Sequence, residues 1–248
     1  MYIKNLSTDF LKIDTPQMVE VDRLMIEEYH IELLQMMENA GRCLAIVARE
    51  VYLNQDPQGK RICVLAGTGG NGGGAMVSAR RLSGWGAEVD VYTTATDDKM
   101  TQVPKHQFDI LKKLDVTIYP QSPPIEKIEY DLIIDGIIGY SIQGNPIGIA
   151  KEMIDWANLQ MTKVISLDTP SGLDLTTGRI SNPTISANAT LTLAMPKRGL
   201  FEVEASKIVG QLYLGDIGVP IQLYSQPTLK LDVENLFRYS DIIRITTP

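Results

Sequence analysis

Apolar residues recur at helical spacing in the first part of the chain, which predicts two leading helices. Within 16–29 the apolar positions repeat every three or four residues: Met18, Val21, Met25 and Tyr29. A second amphipathic pattern fills 31–54, and Gly41 interrupts it where we expect close helix packing. The methionines of this region are interpreted as filler of a core or of a dimer face.

From residue 60 onward, short apolar runs alternate with helical patterns. We predict strands at 61–67, 88–94, 116–120, 131–139, 163–168, 189–195 and 211–217, and helices at 73–85, 101–114 and 147–159. This alternation is typical of an α/β fold with a mostly parallel sheet covered on both faces. We expect the leading helices to pack on that sheet, and the tail from 221 to form loops ending in an edge strand at 241–246.

Composition narrows the class of function. The 248 residues contain no run near the roughly 18 apolar residues that span a bilayer, and no signal-peptide pattern, so we expect a cytoplasmic protein without membrane contact. The net charge of −7 argues against nucleic acid as a partner. Cys43 and Cys63 are expected to be buried, and with only His30 and His106 present we expect no histidine-based site.

A glycine-rich loop, GTGGNGGGAM at 67–76, follows the first predicted strand of the sheet and opens a helix. Gly67, Gly69 and Gly72 satisfy the G-x-G-x-x-G pattern, and free backbone N–H groups at a helix start favour anions. A tight turn would not need this many glycines, so we favour a ligand-binding loop. The Gly-Lys-Ser/Thr ending of an NTP-hydrolysing loop is absent, and Asn71 is the one polar side chain inside the loop with an amide.

Two further strand ends carry acidic residues. Asp135 ends the strand DLIID, and Asp168 is followed by the turn Thr169-Pro170-Ser171-Gly172. Ligands bind beyond the carboxyl ends of strands in open parallel sheets, so we favour a functional role for Asp135 over the alternative of a turn or helix cap. Oxygen atoms of Asn71, Asp135 and Ser171 would suit a hard cation, which leaves Asp168 free as an acid or base.

These segments together resemble the YjeF N-terminal family, the NAD(P)H-hydrate epimerases. The resemblance runs from about Thr15 to about Gly218 and covers the leading helices, the glycine loop, DLIIDGIIGYSIQGN, SLDTPSGLDLTTG and ATLTLAMPKRGL. It implies a single Rossmann-like three-layer αβα domain over 1–248. Residues 1–55 would be leading helices, 60–220 the core and 221–248 a tail.

The resemblance also implies the activity, which interconverts the R and S forms of hydrated NADH or NADPH. It implies a potassium ion bound by Asn71, Asp135 and Ser171, with Asp168 as the catalytic acid/base. The implied substrate contacts are Gly70, Asn71, Gly72, Gly73, Gly74, Gly139, Tyr140, Ser141, Ile142, Gln143, Gly144, Asn145 and Asp168. A homodimer is implied, as is a functional link to a separate NAD(P)H-hydrate dehydratase.

The glycine loop departs from the family pattern, which usually reads Gly-Pro-Gly-Asn-Asn-Gly-Gly-Asp-Gly. Gly70 replaces the first asparagine, Gly74 the aspartate and Ala75 the next glycine. One alternative is therefore a degenerate module of the same fold that binds a nucleotide or a protein partner without chemistry. For Lys197 and Arg198 in MPKRGL, a phosphate contact and solvated turn charges remain equal interpretations, and for Tyr140 the alternative is aromatic packing.

A second alternative is an NAD-dependent oxidoreductase that uses the same glycine pattern. Such enzymes place an acidic residue near the end of the next strand, where it holds the ribose. The strand EVDVYTT instead ends in Thr93 and Thr94, with Asp90 in its middle and Asp97 beyond it. This alternative is therefore disfavoured.

Overall fold

The computed structural model of the protein describes residues 3–7, 10–124 and 128–246. Within them, nine strands form one sheet: β1 (Lys4–Ser7), β2 (Arg61–Ala66), β3 (Glu88–Thr93), β4 (Thr117–Tyr119), β5 (Leu132–Gly136), β6 (Val164–Leu167), β7 (Ala189–Leu193), β8 (Gln211–Gly215) and β9 (Ile242–Thr246). The α-helices of these residues are α1 (Thr15–Glu27), α2 (Leu33–Val47), α3 (Gly70–Gly84), α4 (Gln102–Leu111), α5 (Gly148–Asn158), α6 (Val203–Val209) and α7 (Ile221–Tyr224).

The sheet has the order β1-β9-β8-β7-β6-β5-β2-β3-β4, and all its pairings are parallel except that between β8 and β9. The predicted mostly parallel α/β sheet is thus confirmed. From β2 the chain moves outward to β3 and β4, and from β5 it moves the other way through β6, β7 and β8. The order reverses between β2 and β5, and this switch point is where ligands bind in open parallel sheets.

The prediction of an edge strand at the end of the chain was wrong. Strand β9 lies inside the sheet, antiparallel to β8 on one side and parallel to β1 on the other. The edge position belongs to β1, whose four residues show no apolar pattern long enough to predict a strand. Pairing with β1 satisfies the backbone groups that β9 would otherwise expose.

Alternate residues of the strands face two separate core layers. Ile62, Val64 and Ala66 of β2 pack with the leading helices and α3, whereas Cys63 and Leu65 pack with α5. Such alternation follows from the strand period of two, and it makes near-continuous apolar strands when both faces are covered. The result is the three-layer αβα arrangement, and both cysteines are buried as predicted.

The two leading helices pack on the sheet, as predicted. Helix α1 begins at a capping box in which Gln17 N donates to Asp14 Oδ1 over 2.8 Å and Asp14 N donates to Gln17 Oε1 over 3.0 Å. Helix α2 crosses α3 at Gly41, where a Cβ atom would collide with the side chain of Val77 and lie 2.5 Å from the carbonyl oxygen of Gly74. The expectation of close packing at Gly41 is confirmed.

Helix α6 was not predicted, because its seven residues give too little periodicity to detect. It connects the parallel strands β7 and β8, a connection that requires a crossover. Among the described residues, no helix combines the length and apolar character needed to cross a membrane.

Candidate functional site

A cavity of about 470 Å³ opens at the carboxyl ends of β2, β5 and β6. Its polar lining comes from Asp22, Thr68, Asn71, Thr94, Tyr140, Ser141, Asp168 and Lys197. Its apolar wall comes mainly from the leading helices, through Met18, Leu33, Met36, Met37 and Ala40. Three of the methionines interpreted as core filler therefore border the cavity, a role that apolar periodicity does not distinguish from burial.

The start of α3 forms one wall of this cavity. Gly69, Gly70 and Asn71 line it, and a Cβ atom at Gly69 or Gly70 would meet nothing within 4 Å. The first N–H groups of a helix lack intrahelical acceptors, so this wall offers donors to an anion or a polar ligand.

The other predicted contacts of the glycine loop lie in packed surroundings. A Cβ atom at Gly72 would collide with the carbonyl oxygen of Gly67, one at Gly73 with Met37, and one at Gly74 would lie 2.7 Å from Leu167 Cδ2. The structure thus places Gly72, Gly73 and Gly74 where α3 meets its neighbours and not in the cavity lining. Because Gly74 packs on an apolar side chain, a carboxylate at this position would be buried against Leu167.

Asp135 is fully buried at the carboxyl end of β5. Its Oδ2 accepts hydrogen bonds from Ser166 Oγ (2.7 Å) and Ser171 N (2.9 Å). Its Oδ1 accepts from Ser171 Oγ (2.5 Å) and Ile137 N (3.2 Å). Burial raises the pKa of this carboxyl group, and the hydrogen bonds from Ser171 and Ser166 oppose the rise.

Asn71 lies across from this network with an unsatisfied amide. Its Nδ2 atom is buried and has no hydrogen-bond partner among the described residues. A Cβ atom at Gly139 would lie 3.4 Å from Asn71 Cγ, so the glycine lets the two segments approach closely. A buried polar atom without a partner costs about 1–3 kcal/mol, which points to a missing ligand at this position.

The chemistry of Asn71, Asp135 and Ser171 fits a hard cation. The three side chains offer amide, carboxylate and hydroxyl oxygen atoms, which are the ligands that hard cations prefer. The groups that donate hydrogen bonds to Asp135 are all uncharged, so no protein cation neutralises its carboxylate there. The Ser171 hydroxyl has a second acceptor in Ile138 O at 3.2 Å, so its proton can turn away from Asp135. Within the described residues, no three His, Cys, Asp or Glu side chains form a cluster that could hold a metal ion.

Asp168 adopts a left-handed backbone conformation with φ of 60° at the end of β6. Aspartate tolerates this region better than most residues, but the conformation still carries strain of the kind found at functional sites. Its Oδ1 accepts from Lys197 Nζ (2.6 Å), Thr192 Oγ1 (3.2 Å) and Leu193 N (3.3 Å). Its Oδ2 accepts no hydrogen bond from the described residues, which leaves that atom for a ligand of the cavity.

Lys197 is a site residue for which the sequence supports a phosphate contact and a solvated turn charge equally. Its side chain is 1% exposed, lines the cavity, and donates to Leu193 O (2.8 Å) as well as to Asp168. The neighbouring Arg198 is exposed and donates to Lys12 O, so only Arg198 is a solvated turn charge. The Pro-Lys turn is held by Ile13, whose N–H donates to Pro196 O over 3.0 Å.

Asp22 of α1 is a second acidic residue of the cavity, and no motif in the sequence indicated it. Tyr140 donates its hydroxyl proton to Asp22 Oδ2 over 2.6 Å. Burial raises the pKa of Asp22, and Tyr140 and Lys197 oppose the rise. Burial also raises the pKa of Tyr140, with Asp22 adding to the effect. Tyr140 therefore has both roles: its ring packs against the core, and its hydroxyl group has a polar role at the cavity wall.

The loop after β5 divides into two parts. Gly139, Tyr140 and Ser141 line the cavity, whereas Ile142, Gln143, Gly144 and Asn145 are absent from its lining. The second part contacts another loop instead, because Ser181 Oγ donates to Gly144 O (3.2 Å) and Asn182 N donates to Asn145 Oδ1 (3.2 Å). The structure thus brings together Gly70, Asn71, Gly139, Tyr140, Ser141 and Asp168, with the Asp135–Ser171 pair in the buried layer beside them.

A known protein family matches more than half of the chain. The sequence profile of the family described as YjeF-related protein N-terminus matches residues 33–199. The chain belongs to this family. The YjeF-related match includes the glycine loop, both acidic strand ends and Lys197.

Relatives of the YjeF-related chain carry names that bear on function. A protein of Dehalogenimonas lykanthroporepellens named NAD(P)H-hydrate epimerase is 40% identical over 235 residues, which is 94% of this chain and 92% of the relative. A Moorella thermoacetica protein named bifunctional NAD(P)H-hydrate repair enzyme Nnr is 31% identical over 218 residues. That alignment covers 85% of this chain but only 41% of the bifunctional relative.

A solved structure supports the fold. The crystal structure of the yeast protein ynu0 (YNL200c) superposes with a TM-score of 0.76 at 24% sequence identity. The superposition covers 94% of this chain and 99% of the yeast chain.

Proposed function

We propose that this protein is an NAD(P)H-hydrate epimerase, an isomerase that interconverts the R and S forms of hydrated NADH and NADPH in nicotinamide nucleotide repair. The observation that carries the proposal is Asp168, which lines the cavity and whose Oδ1 is held by three donors while its Oδ2 accepts no hydrogen bond from the described residues. The relative of Dehalogenimonas lykanthroporepellens, named for this activity, supports it over 94% of the chain.

The substrate has a hydroxyl group on the ring carbon next to the ring nitrogen, and this carbinolamine centre is the one inverted. The nitrogen lone pair can expel the hydroxyl, or the ring can open, before the bond forms again from the other face. Either route needs a group that gives and takes a proton, and Asp168 Oδ2 is our candidate. Lys197 keeps that carboxylate in place and compensates its charge in a buried setting.

We also propose that Asn71, Asp135 and Ser171 bind a potassium ion. The oxygen atoms that these three side chains offer and the uncharged hydrogen-bond donors around the buried Asp135 carboxylate support this assignment. When bound, the ion supplies positive charge that orients an oxygen atom of the substrate. The protein residues themselves orient the nucleotide through the α3 N-terminus and exclude water through the methionine wall.

Wider assignments follow from the same proposal. We propose a homodimer formed through α1 and α2, which expose apolar side chains at Val19, Ile26, Leu33 and Leu34. We place the enzyme in the cytoplasm, where buried reduced cysteines are the rule, and link it to a dehydratase because a relative is named as bifunctional.

An exchange assay tests the proposed activity. Purified R and S hydrates of NADH are incubated with the protein in potassium buffer, and epimer exchange is followed by NMR. We expect wild type to exceed the spontaneous rate and Asp168→Asn to lose about 10²–10⁴-fold of that acceleration. Nucleotide binding without any acceleration by wild type would favour the degenerate binding module suggested by Gly70 and Gly74. Full activity in Asp168→Asn would remove Asp168 from its role.

A further inference from the structure

The cavity contains two carboxylates from different walls. Asp168 comes from the end of a sheet strand, whereas Asp22 comes from α1. Each has one oxygen held by the protein: Asp168 Oδ1 accepts from Lys197, and Asp22 Oδ2 accepts from Tyr140. The other oxygen of each carboxylate accepts no hydrogen bond from any described residue.

The two carboxylates have contrasting environments. Asp168 contacts the buried ammonium group of Lys197 at 2.6 Å. Asp22 accepts a hydrogen bond from the neutral Tyr140 hydroxyl, and burial raises its pKa against the opposing effects of Tyr140 and Lys197. Two acidic groups with different environments in one cavity are a frequent arrangement for a general acid and a general base.

Inversion by loss and return of water requires proton transfer on both faces of the ring. The C–O bond breaks while an acid protonates the departing hydroxyl, and the electron pair of the ring nitrogen forms the C=N bond of an iminium ion. Water then adds to the carbon from the other face, a base takes its proton, and the C=N electrons return to nitrogen. One carboxyl group fixed on one wall serves only one of these faces.

We propose that Asp22 is the second proton-transfer group of the site and acts on the ring face that Asp168 does not reach. This inference rests on the proposed epimerase function and extends it. In one direction Asp22 protonates the leaving hydroxyl and Asp168 takes the proton from the incoming water. In the other direction the two residues exchange roles, as microscopic reversibility requires.

Oxygen-18 labelling tests the proposal. Each hydrate epimer is incubated separately in H₂¹⁸O, and inversion and label uptake are measured together by NMR and mass spectrometry. In wild type, we expect inversion and label uptake to accompany one another. In Asp22→Asn, we expect inversion to fall about 10²–10⁴-fold, while label still enters the one epimer whose hydroxyl faces Asp168. Asp168→Asn should show the mirror pattern, with label entering only the other epimer.

Matched controls separate proton transfer from structural damage. Glu27→Gln removes a carboxylate from the exposed side of the same helix, where it pairs with Arg23, and should leave both readouts unchanged. Tyr140→Phe keeps the Asp22 carboxyl group, so label should still enter both epimers at a reduced rate. If Asp22→Asn does not fold, as judged by its circular dichroism, Asp22→Ser carries the same test.

The outcomes also separate the two levels of the proposal. If wild type does not exceed the spontaneous rate, the epimerase function is rejected, and the proposed role of Asp22 is rejected with it. A wild type that is active, with an Asp22→Asn variant that inverts at the same rate, rejects Asp22 alone. Inversion without label uptake in wild type indicates ring opening and also overturns the two-face assignment.

Discussion

Lys197 Nζ lies 2.6 Å from Asp168 Oδ1, and their side chains are only 1% and 6% exposed. Taking both charges out of water carries a large desolvation cost, so each depends on the other. The strand end supplies the carboxylate with a φ of 60°, and a turn 29 residues later supplies the cation. The candidate acid/base is therefore positioned by a pair whose two members follow the adjacent strands β6 and β7.

Removing the cation should destabilise the fold as well as the activity. In Lys197→Met the buried Asp168 charge loses its partner, and we expect the free energy of unfolding to fall by about 3–5 kcal/mol. Urea denaturation measures the change. The double variant Asp168→Asn/Lys197→Met should recover part of the loss, since no unpaired charge is left. Lys207→Met is the control, because its pair with Glu204 is exposed and should contribute at most about 1 kcal/mol.

Potassium should stabilise the protein through Ser171. If the ion binds only the folded state, a concentration 100 times its dissociation constant adds about 2.7 kcal/mol to the free energy of unfolding. We expect the melting temperature of wild type to rise as potassium replaces choline at constant ionic strength. Ser171→Ala should lose this rise and should also be less stable in choline, because Asp135 and Ile138 N each lose a hydrogen bond. Equal melting temperatures of wild type in the two salts would contradict the ion site.

The pH dependence of stability should report on Asp22. Since burial raises its pKa above the ordinary value of 3.8, the folded state binds this proton more tightly than the unfolded state. The protonated Asp22 side chain therefore adds to the free energy of unfolding. This contribution is fully present below about pH 3.8 and is lost as the pH rises through the folded-state pKa. Wild type should therefore lose stability relative to Asp22→Asn across this window. In Tyr140→Phe, which lacks the opposing hydrogen bond, the loss should extend to higher pH.

Two glycines of the same loop should respond oppositely to alanine. At Gly72 the new methyl group would collide with the backbone of Gly67, so we expect Gly72→Ala to lose about 1–3 kcal/mol or more of stability. At Gly70 the methyl group would meet nothing within 4 Å, and Gly70→Ala should gain about 0.4–1 kcal/mol. Thermal unfolding of the two variants provides the measurement. Similar melting temperatures would mean that Gly72 is not a packing glycine.

Much of the fold was predictable because the strands covered on both faces are long apolar runs with clear boundaries. The strand at 61–67, its glycine loop and the following helix lie within a few residues of the predicted positions. Strand β1 and helix α6 escaped prediction because short segments owe their structure to neighbours and not to their own pattern. The position of β9 inside the sheet depended on β1 and was missed for the same reason.

The site residues that the sequence predicts are those that lie in segments following the strands. Asp168 directly follows β6, and Asn71 lies in the glycine loop that follows β2, so topology indicated their convergence. Asp22 lies among the polar positions of an amphipathic helix, and its sequence context resembles that of any solvated residue on such a helix. Lys197 presented the opposite difficulty, because a lysine in a turn is usually exposed and only the tertiary contact with Asp168 explains its burial.

The central position of β9 has a consequence for synthesis on the ribosome. Strand β1 is made before the other eight strands, yet the described strand with which it pairs is β9, at Ile242–Thr246. Until those residues emerge, β8 presents an open edge that is ready to pair with other chains. The nascent chain therefore exposes this edge to aggregation until β9 has been made, and β1 can pair only after a strand far along the sequence has followed it.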